Sequence, residues 1–466
     1  MTNEFSGPAE QCGGARGRIR ALFGSAAIWI ALAAGGYPFP FIDDPPYIGA
    51  GLNLAAGGGL VNPLMETLHL HYYEYTPLHS YLIAGWLKAF GISAASMVAL
   101  FTLCATIATY CTIRVFQKLN REFLGWMAAL SLVTYLTSVG MRPDAFGLFF
   151  SALSFHAGLA ERRPVRYLAP LFAILGLGCL PASLALMGPW LIYLLATQKR
   201  MWLPFLVSGA GVALLCCVLI NWDIHGFLFH FLGNKSVSND IQSVWIEHHW
   251  YTPMGAVKIV YPILGVGLVV ILKSARKGPD LFDALMVLSV LLGLYAIWNT
   301  VSGHRIMGLV TVIVIGYYIG LLIAKPRPYH LLVAANSLLI IGSGLRPMVQ
   351  GITTERTPNG PQLLSQVNAL NPSRIIVDEW SLRYVFNYRL RPGMVAVGYS
   401  ARLAADEIHL TVKYPDECWV LSAESVEHYH AIPHGLPLPR YVSIFGKPLG
   451  RWLSNAGEIG ISPPGK

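Results

Sequence analysis

Long apolar segments recur along this chain, and the charged residues fall between them. A helix needs about 20 mostly apolar residues to cross a bilayer, and eleven segments approach that length, at residues 21–41, 93–113, 123–140, 145–160, 167–180, 183–197, 202–221, 255–272, 281–300, 306–323 and 329–345. Only 12% of the residues are charged, roughly half the share in an average soluble domain. The sequence therefore predicts an all-α polytopic membrane domain with about eleven spanning helices.

Lysine and arginine are concentrated in alternate connections between these segments. The basic groups are Arg16, Arg18 and Arg20; Arg114, Lys118 and Arg121; Arg162, Arg163 and Arg166; Lys199 and Arg200; Lys273, Arg276 and Lys277; and Lys325 and Arg327. Short cytoplasmic loops retain positive charge, so we expect a cytoplasmic N-terminus, a location in the cell inner (cytoplasmic) membrane and an external C-terminal tail. The net charge of +9 follows from this topology, and no basic patch interleaved with aromatic residues indicates a nucleic-acid partner.

Two external regions are large enough to contribute to a site. The first is the loop 42–92, in which residues 45–56 and 76–90 are predicted as short helices, the second with an apolar stripe of Leu78, Leu82, Trp86 and Phe90. The second region, residues 346–466, follows the transmembrane domain 1–345. Short apolar runs at 374–377, 394–397 and 418–421, with a helical pattern at 379–388, predict a small external α/β domain.

Two adjacent carboxylates, Asp43 and Asp44, directly follow the first apolar segment. Charge at a membrane boundary is costly, so an ionisable pair there is a candidate functional site. Desolvation and mutual repulsion both raise a carboxyl pKa towards the range that suits proton transfer. The alternative is that an aspartate simply caps the helix predicted at residue 45.

Other polar residues are candidates at the same external face. His304 and Arg305 open a helix and are suited to gripping a phosphate, or they extend to the interface as ordinary snorkelling side chains. Arg142 and Asp144 flank Pro143 in a tight turn, either as an ion pair that holds the helical hairpin or as substrate contacts.

The loop 222–254 contains His225, His230, Glu247, His248 and His249. Imidazole and carboxylate groups bind divalent metals, but adjacent histidines diverge on a helix. We therefore favour Glu247, His248 and His249 as walls of a substrate cavity, together with Glu66, Glu74, Tyr47, His79 and Asp144. No metal site and no cofactor is predicted, with a bound divalent metal as the alternative.

Five stretches together resemble the GT-C superfamily of membrane glycosyltransferases, in particular the protein O-mannosyltransferase and aminoarabinose transferase group. They are the acidic pair within residues 39–47, the helix at 47–58, the start of the second loop helix at 75–82, the Arg-x-Asp turn at 140–145 and the basic pair within 302–305. The chain departs from the family pattern at Pro45-Pro46, at Thr76 and at Ile306.

The resemblance implies inverting transfer of a sugar from a polyprenyl-phosphate donor to an envelope glycan, glycolipid or protein. It implies that Asp43 is the general base, that Asp44 orients it, and that His304, Arg305 and Arg142 hold the donor phosphate. Membrane lipids are the remaining expected partners. A transporter or flippase for a lipid-linked or anionic substrate, and a non-catalytic assembly subunit on the same scaffold, are the alternatives, although the chain lacks the internal repeats of many transporters.

Overall fold

The computed structural model describes most of residues 14–60 and 77–227, isolated residues between 281 and 345, and five strands between 374 and 462. The helices of that part are α1 (Ala15–Ala34), α2 (Asp44–Ala55), α3 (Pro77–Phe90), α4 (Ala94–Lys118), α5 (Glu122–Leu136), α6 (Pro143–Gly158), α7 (Arg163–Arg166), α8 (Ala169–Cys179), α9 (Leu184–Thr197) and α10 (Trp202–Leu219). Short 3₁₀ turns at Pro181–Ser183 and Lys199–Met201 flank α9.

The seven apolar segments predicted between residues 21 and 221 all coincide with helices, and α2 and α3 coincide with the two predicted loop helices. Helix α1 ends at Ala34, earlier than the predicted residue 41, and the Gly35 amide closes its last turn on the Ala31 carbonyl. The four segments predicted between residues 255 and 345 lie largely outside the described residues.

The assignment of Arg114 and Lys118 to a loop is wrong, because both lie in the last turns of α4. Cations are stabilised at the carboxyl end of a helix, where unpaired carbonyls carry partial negative charge. The connection itself is reduced to residues 119–121. Arg163 and Arg166 likewise lie in the short helix α7 rather than in an irregular loop.

Three described helices are long and apolar enough to span a membrane, namely Ala15–Ala34, Ala95–Lys118 and Lys199–Leu219. The apolar helices Glu122–Leu136 and Leu186–Thr197 are shorter. The described part of the chain therefore has the helices of a membrane protein.

Helix α4 is central to the bundle, where it packs against α1, α5 and α6, while α6 packs in turn against α8. Polar side chains connect helices within this core. The Trp29 indole donates to the Thr109 hydroxyl at 2.8 Å, and Ser154 of α6 donates to the Ala169 carbonyl of α8 at 2.8 Å. Such interhelical hydrogen bonds and close packing hold together helices that gain little from the hydrophobic effect inside a bilayer.

The predicted basic groups of residues 16–20, 114–121 and 162–166 lie at one end of the bundle, which we call the basic end. Arg20 of α1 forms an ion pair with Glu122 of α5 at 3.5 Å, and the Gln117 amide of α4 donates to the Gly17 carbonyl. Lys118 donates to the carbonyl of His156, near the end of α6. Because the carboxyl end of α6 contacts Lys118, its amino end lies at the opposite end of the bundle. Helices α2 and α3 lie there too, since Tyr47 of α2 contacts Arg142 and His79 of α3 contacts Phe146.

Five strands form one sheet in the order β2-β1-β3-β4-β5, with β1 Arg374–Asp378, β2 Ala396–Tyr399, β3 Glu417–Ser422, β4 Tyr441–Gly446 and β5 Gly457–Ser462. The first four strands are parallel neighbours, and β5 pairs antiparallel with β4. The three predicted strands match β1, β2 and β3, with β2 displaced by two residues from 394–397. The predicted helix at 379–388 lies outside the described residues.

Candidate functional site

Helix α2 directly follows Asp43 along the chain and packs against α3. It begins at Asp44, and Pro45 and Pro46 occupy its first turn, where a missing N–H costs nothing. Close approach of α2 to α3 requires Gly51, since a β-carbon there would lie 2.9 Å from Ile83 Cβ and 3.0 Å from the Ser80 carbonyl oxygen. The backbone that leads out of Asp44 is thus fixed against α3.

A buried ion pair lies at the start of α6. The Arg142 guanidinium is 1% exposed, and its Nε lies 3.5 Å from Asp144 Oδ2. Tyr135, near the end of α5, donates its hydroxyl hydrogen to Asp144 Oδ1 at 2.6 Å. Asp144 also lies in the first turn of α6, where the helix N-terminus favours a negative charge. The predicted ion pair therefore exists, and the hydrogen bond from Tyr135 to Asp144 connects it to the end of α5.

Arg142 also contacts α2 through Tyr47. Its Nη2 donates to the Tyr47 hydroxyl at 3.3 Å, and the guanidinium carbon lies 5.1 Å from the centre of the Tyr47 ring. A cation over an aromatic face is attracted by the negative face of the ring, and the attraction is stronger away from water. Arg142 thus connects the start of α6 to α2 at Tyr47, which lies about one helical turn after Asp44.

His79 is fully buried beside this ion pair. Its ring meets Phe146 edge-on with centroids 5.2 Å apart, and neither ring nitrogen has a hydrogen-bond partner among the described residues. Burial lowers the pKa of His79 to about 3, against the opposing effects of the Asp144 charge and the nearby Tyr47 backbone. The imidazole is neutral at physiological pH.

We call the five residues Tyr47, His79, Tyr135, Arg142 and Asp144 the Arg142 cluster. Four of them were predicted from the sequence as site residues, and the structure brings them together. Tyr135 was missed, because a tyrosine inside an apolar helix is ordinarily read as core or interfacial. The available signal was its place in the last turn of a helix that leads into the Arg-x-Asp turn.

An apolar groove adjoins the Arg142 cluster. It lies between α3, α4 and α6, has a volume of about 430 Å³ and is lined by residues that include Trp86, Leu103 and Phe150. Phe146 belongs to its wall and also touches His79. Phe90 at its margin is 64% exposed. Leu82, Trp86 and Phe90 of the predicted α3 stripe thus line a groove at the surface of the bundle.

Of Asp44 only the backbone is described. The remaining predicted site residues lie outside the described residues, and they are Asp43, Glu66, Glu74, Glu247, His248, His249, His304 and Arg305. Within the described ranges, no group of three or more histidine, cysteine, aspartate or glutamate side chains is arranged to hold a metal ion.

The geometry determines what Arg142 can do chemically. Its charge is compensated by Asp144 and its Nη2 donates to Tyr47, so it is better suited to holding α2 in place than to binding a free phosphate. The cluster therefore connects α2 to the start of α6.

Comparison of the chain with protein-family models, with curated proteins and with solved structures finds no match. The described residues form a helical bundle that has three helices of membrane-spanning length and a buried polar cluster opposite its basic end.

Proposed function

We propose that the protein is an integral membrane glycosyltransferase that moves a sugar from a polyprenyl-phosphate donor to an envelope glycan, glycolipid or protein. In the proposed reaction the Asp43 carboxylate takes the proton from an acceptor hydroxyl or amine. The acceptor atom then attacks the anomeric carbon from the side opposite the phosphate. The bond to the phosphate oxygen breaks, and polyprenyl phosphate leaves with the bonding electrons.

The observation that carries this proposal is the attachment of α2 to the Arg142 cluster beside the apolar groove. A carboxylate that acts as a base must be held within hydrogen-bond distance of the proton that it removes, and Arg142 and Tyr47 fix the helix that starts at Asp44. The groove passes Phe146, which contacts the cluster through His79. An isoprenoid chain in the groove would bring the head of its lipid to the cluster.

The donor phosphate needs cationic partners that are not already neutralised. We assign this role to His304 and Arg305, and we assign Arg142 to the positioning of α2. Asp44 orients Asp43 or the acceptor, and Glu66, Glu74, Glu247, His248 and His249 contribute to the substrate cavity.

We further propose that the protein has eleven spanning helices, a cytoplasmic basic end in the cell inner membrane, and an external α/β domain over residues 346–466. The parallel strands β1–β4 favour that domain, because parallel neighbours need crossover connections, which are usually helical.

Replacing the base by its neutral isostere tests the reaction. We expect the Asp43→Asn variant to accumulate in the membrane like the native protein but to release polyprenyl phosphate from a lipid-linked sugar at least about 100-fold more slowly, as expected for loss of a general base. The measurement is the release of polyprenyl phosphate by the purified protein after its reconstitution into envelope membranes.

The matched control is Asp223→Asn, since Asp223 lies after α10 and accepts a hydrogen bond from the Gly226 amide that asparagine also accepts. This control is expected to retain native turnover. Native turnover in the Asp43→Asn variant would contradict the assignment of the base.

The apolar groove also favours a second candidate, a flippase for a lipid-linked substrate. A flippase would move the labelled lipid across a vesicle membrane without breaking its sugar–phosphate bond. Transbilayer movement with no release of polyprenyl phosphate would replace the first proposal by this one. Neither movement nor release would indicate the assembly subunit.

A further inference from the structure

We propose that the basic end binds the phosphate group of an anionic membrane lipid between α1, α4 and α6, through Arg18, Arg114 and Lys118. This site lies at the end of the bundle opposite the Arg142 cluster. It is independent of the proposed glycosyl transfer.

Contacts between helices bring these cations together. Gln117 of α4 donates to the Gly17 carbonyl of α1 at 3.2 Å, which places Arg18 beside the last turns of α4. Lys118 Nζ donates to the carbonyls of His156 and Leu159 at the end of α6, at 3.1 and 3.3 Å. Three helices thus converge on one point of the basic end.

Arg114 carries a buried charge at this point. It is 7% exposed, its guanidinium donates to the Gln117 side chain, and its Nε has no hydrogen-bond partner among the described residues. His156, across the interface on α6, likewise has a buried Nδ1 without a partner in that part of the chain. A buried cation is stable when an anion or several hydrogen bonds compensate for its lost hydration.

The groups around Arg114 supply that compensation only in part, although Tyr110 and Glu122 both attract its charge. Glu122 is engaged by the exposed Arg20 at 3.5 Å, and Glu161 lies on the exposed connection to α7, next to Arg162 and Arg163. Arg18 and Lys118 carry the same charge as Arg114 and repel it. A phosphate between Arg18, Arg114 and Lys118 would remove this repulsion.

The surroundings favour a lipid over a soluble anion. Large apolar side chains next to the basic residues are exposed on the bundle surface, with Phe23 at 68% and Phe123 at 74%. In a membrane these side chains contact acyl chains at the depth at which cations meet lipid phosphates. Basic pockets between membrane helices recognise anionic headgroups in the same way.

Binding of a defined lipid to the whole purified protein tests the proposal. Native mass spectrometry in detergent, with added phosphatidylglycerol or phosphatidylcholine, is expected to show preferential retention of phosphatidylglycerol. Each of the variants Arg18→Gln, Arg114→Gln and Lys118→Gln should weaken that binding about fivefold, the equivalent of about 1 kcal/mol for each cation near the membrane surface. Arg18 is exposed, so its variant tests the site even where substitution of buried Arg114 prevents folding.

The matched control is Arg200→Gln, which removes the same charge from an exposed residue of the 3₁₀ turn before α10. It should bind phosphatidylglycerol like the native protein. Equal binding of both lipids, or an equal loss in Arg200→Gln and the three site variants, would overturn the proposal. Displacement of the lipid by millimolar inorganic phosphate would show a site for soluble anions and would also overturn it.

Discussion

At the scale of single residues, Asp144 depends on the hydroxyl of Tyr135. We expect Tyr135→Phe to lower the free energy of unfolding by about 1–3 kcal/mol, because a buried carboxylate then loses a charge-assisted hydrogen bond. Thermal unfolding of the purified protein in detergent measures the change. Tyr167→Phe removes the same atom from a side chain that is 36% exposed, so it should leave the midpoint unchanged. Equal midpoints in the two variants would contradict the role given to Tyr135.

His79 gives the stability a dependence on pH whose sign is fixed. Its pKa is about 3 in the folded protein, below the ordinary value of 6.5, so the unfolded state takes up a proton first as the pH falls. His79 therefore makes its full contribution to stability above pH 6.5 and loses it between pH 6.5 and 3, by up to about 1.4 kcal/mol per pH unit. Unfolding midpoints between pH 7.5 and 5 should fall less steeply in His79→Phe than in the native protein. Parallel slopes would show that His79 is not buried as a neutral group.

At the scale of elements, the contact between α2 and α3 depends on Gly51. Gly51→Ala places a methyl group 3.0 Å from the Ser80 carbonyl oxygen, and backbone there does not yield. We expect a loss of about 1–3 kcal/mol in the free energy of unfolding, as for other overpacked cores. Gly211→Ala in α10 is the control, because a β-carbon there meets nothing within 4 Å and alanine favours the helix. The midpoint of thermal unfolding should fall in Gly51→Ala and should stay the same or rise in Gly211→Ala.

The same elements show what the sequence predicts and what it does not. The seven apolar helices up to residue 219 were predicted because each long apolar run has to be buried in lipid or protein. Strands β4 and β5 were both missed, and in β5 the two glycines and a glutamate of Gly457–Ser462 lower the strand propensity. Tyr135 and the apolar groove were missed because they result from how α3, α4, α5 and α6 pack, and spacing along a single helix does not encode that packing.

At the scale of the whole molecule, the two ends differ in chemistry. One end collects the basic groups around Lys118, and the other carries α2, the Arg142 cluster and the groove. The positive charges predict which end is cytoplasmic, and the contacts between helices show that the basic groups of residues 16–166 share one end. We propose that Asp43 and Asp44 therefore act from the external side of the membrane.

Labelling with a membrane-impermeant thiol reagent tests this orientation. In a chain whose seven cysteines are replaced, the suitable sites are Gly59→Cys, where a β-carbon meets nothing within 4 Å, and the exposed Arg163→Cys. In intact cells position 59 should react and position 163 should react only after the membrane is permeabilised. Labelling of both positions from the same side, or of position 163 alone in intact cells, would contradict the claim.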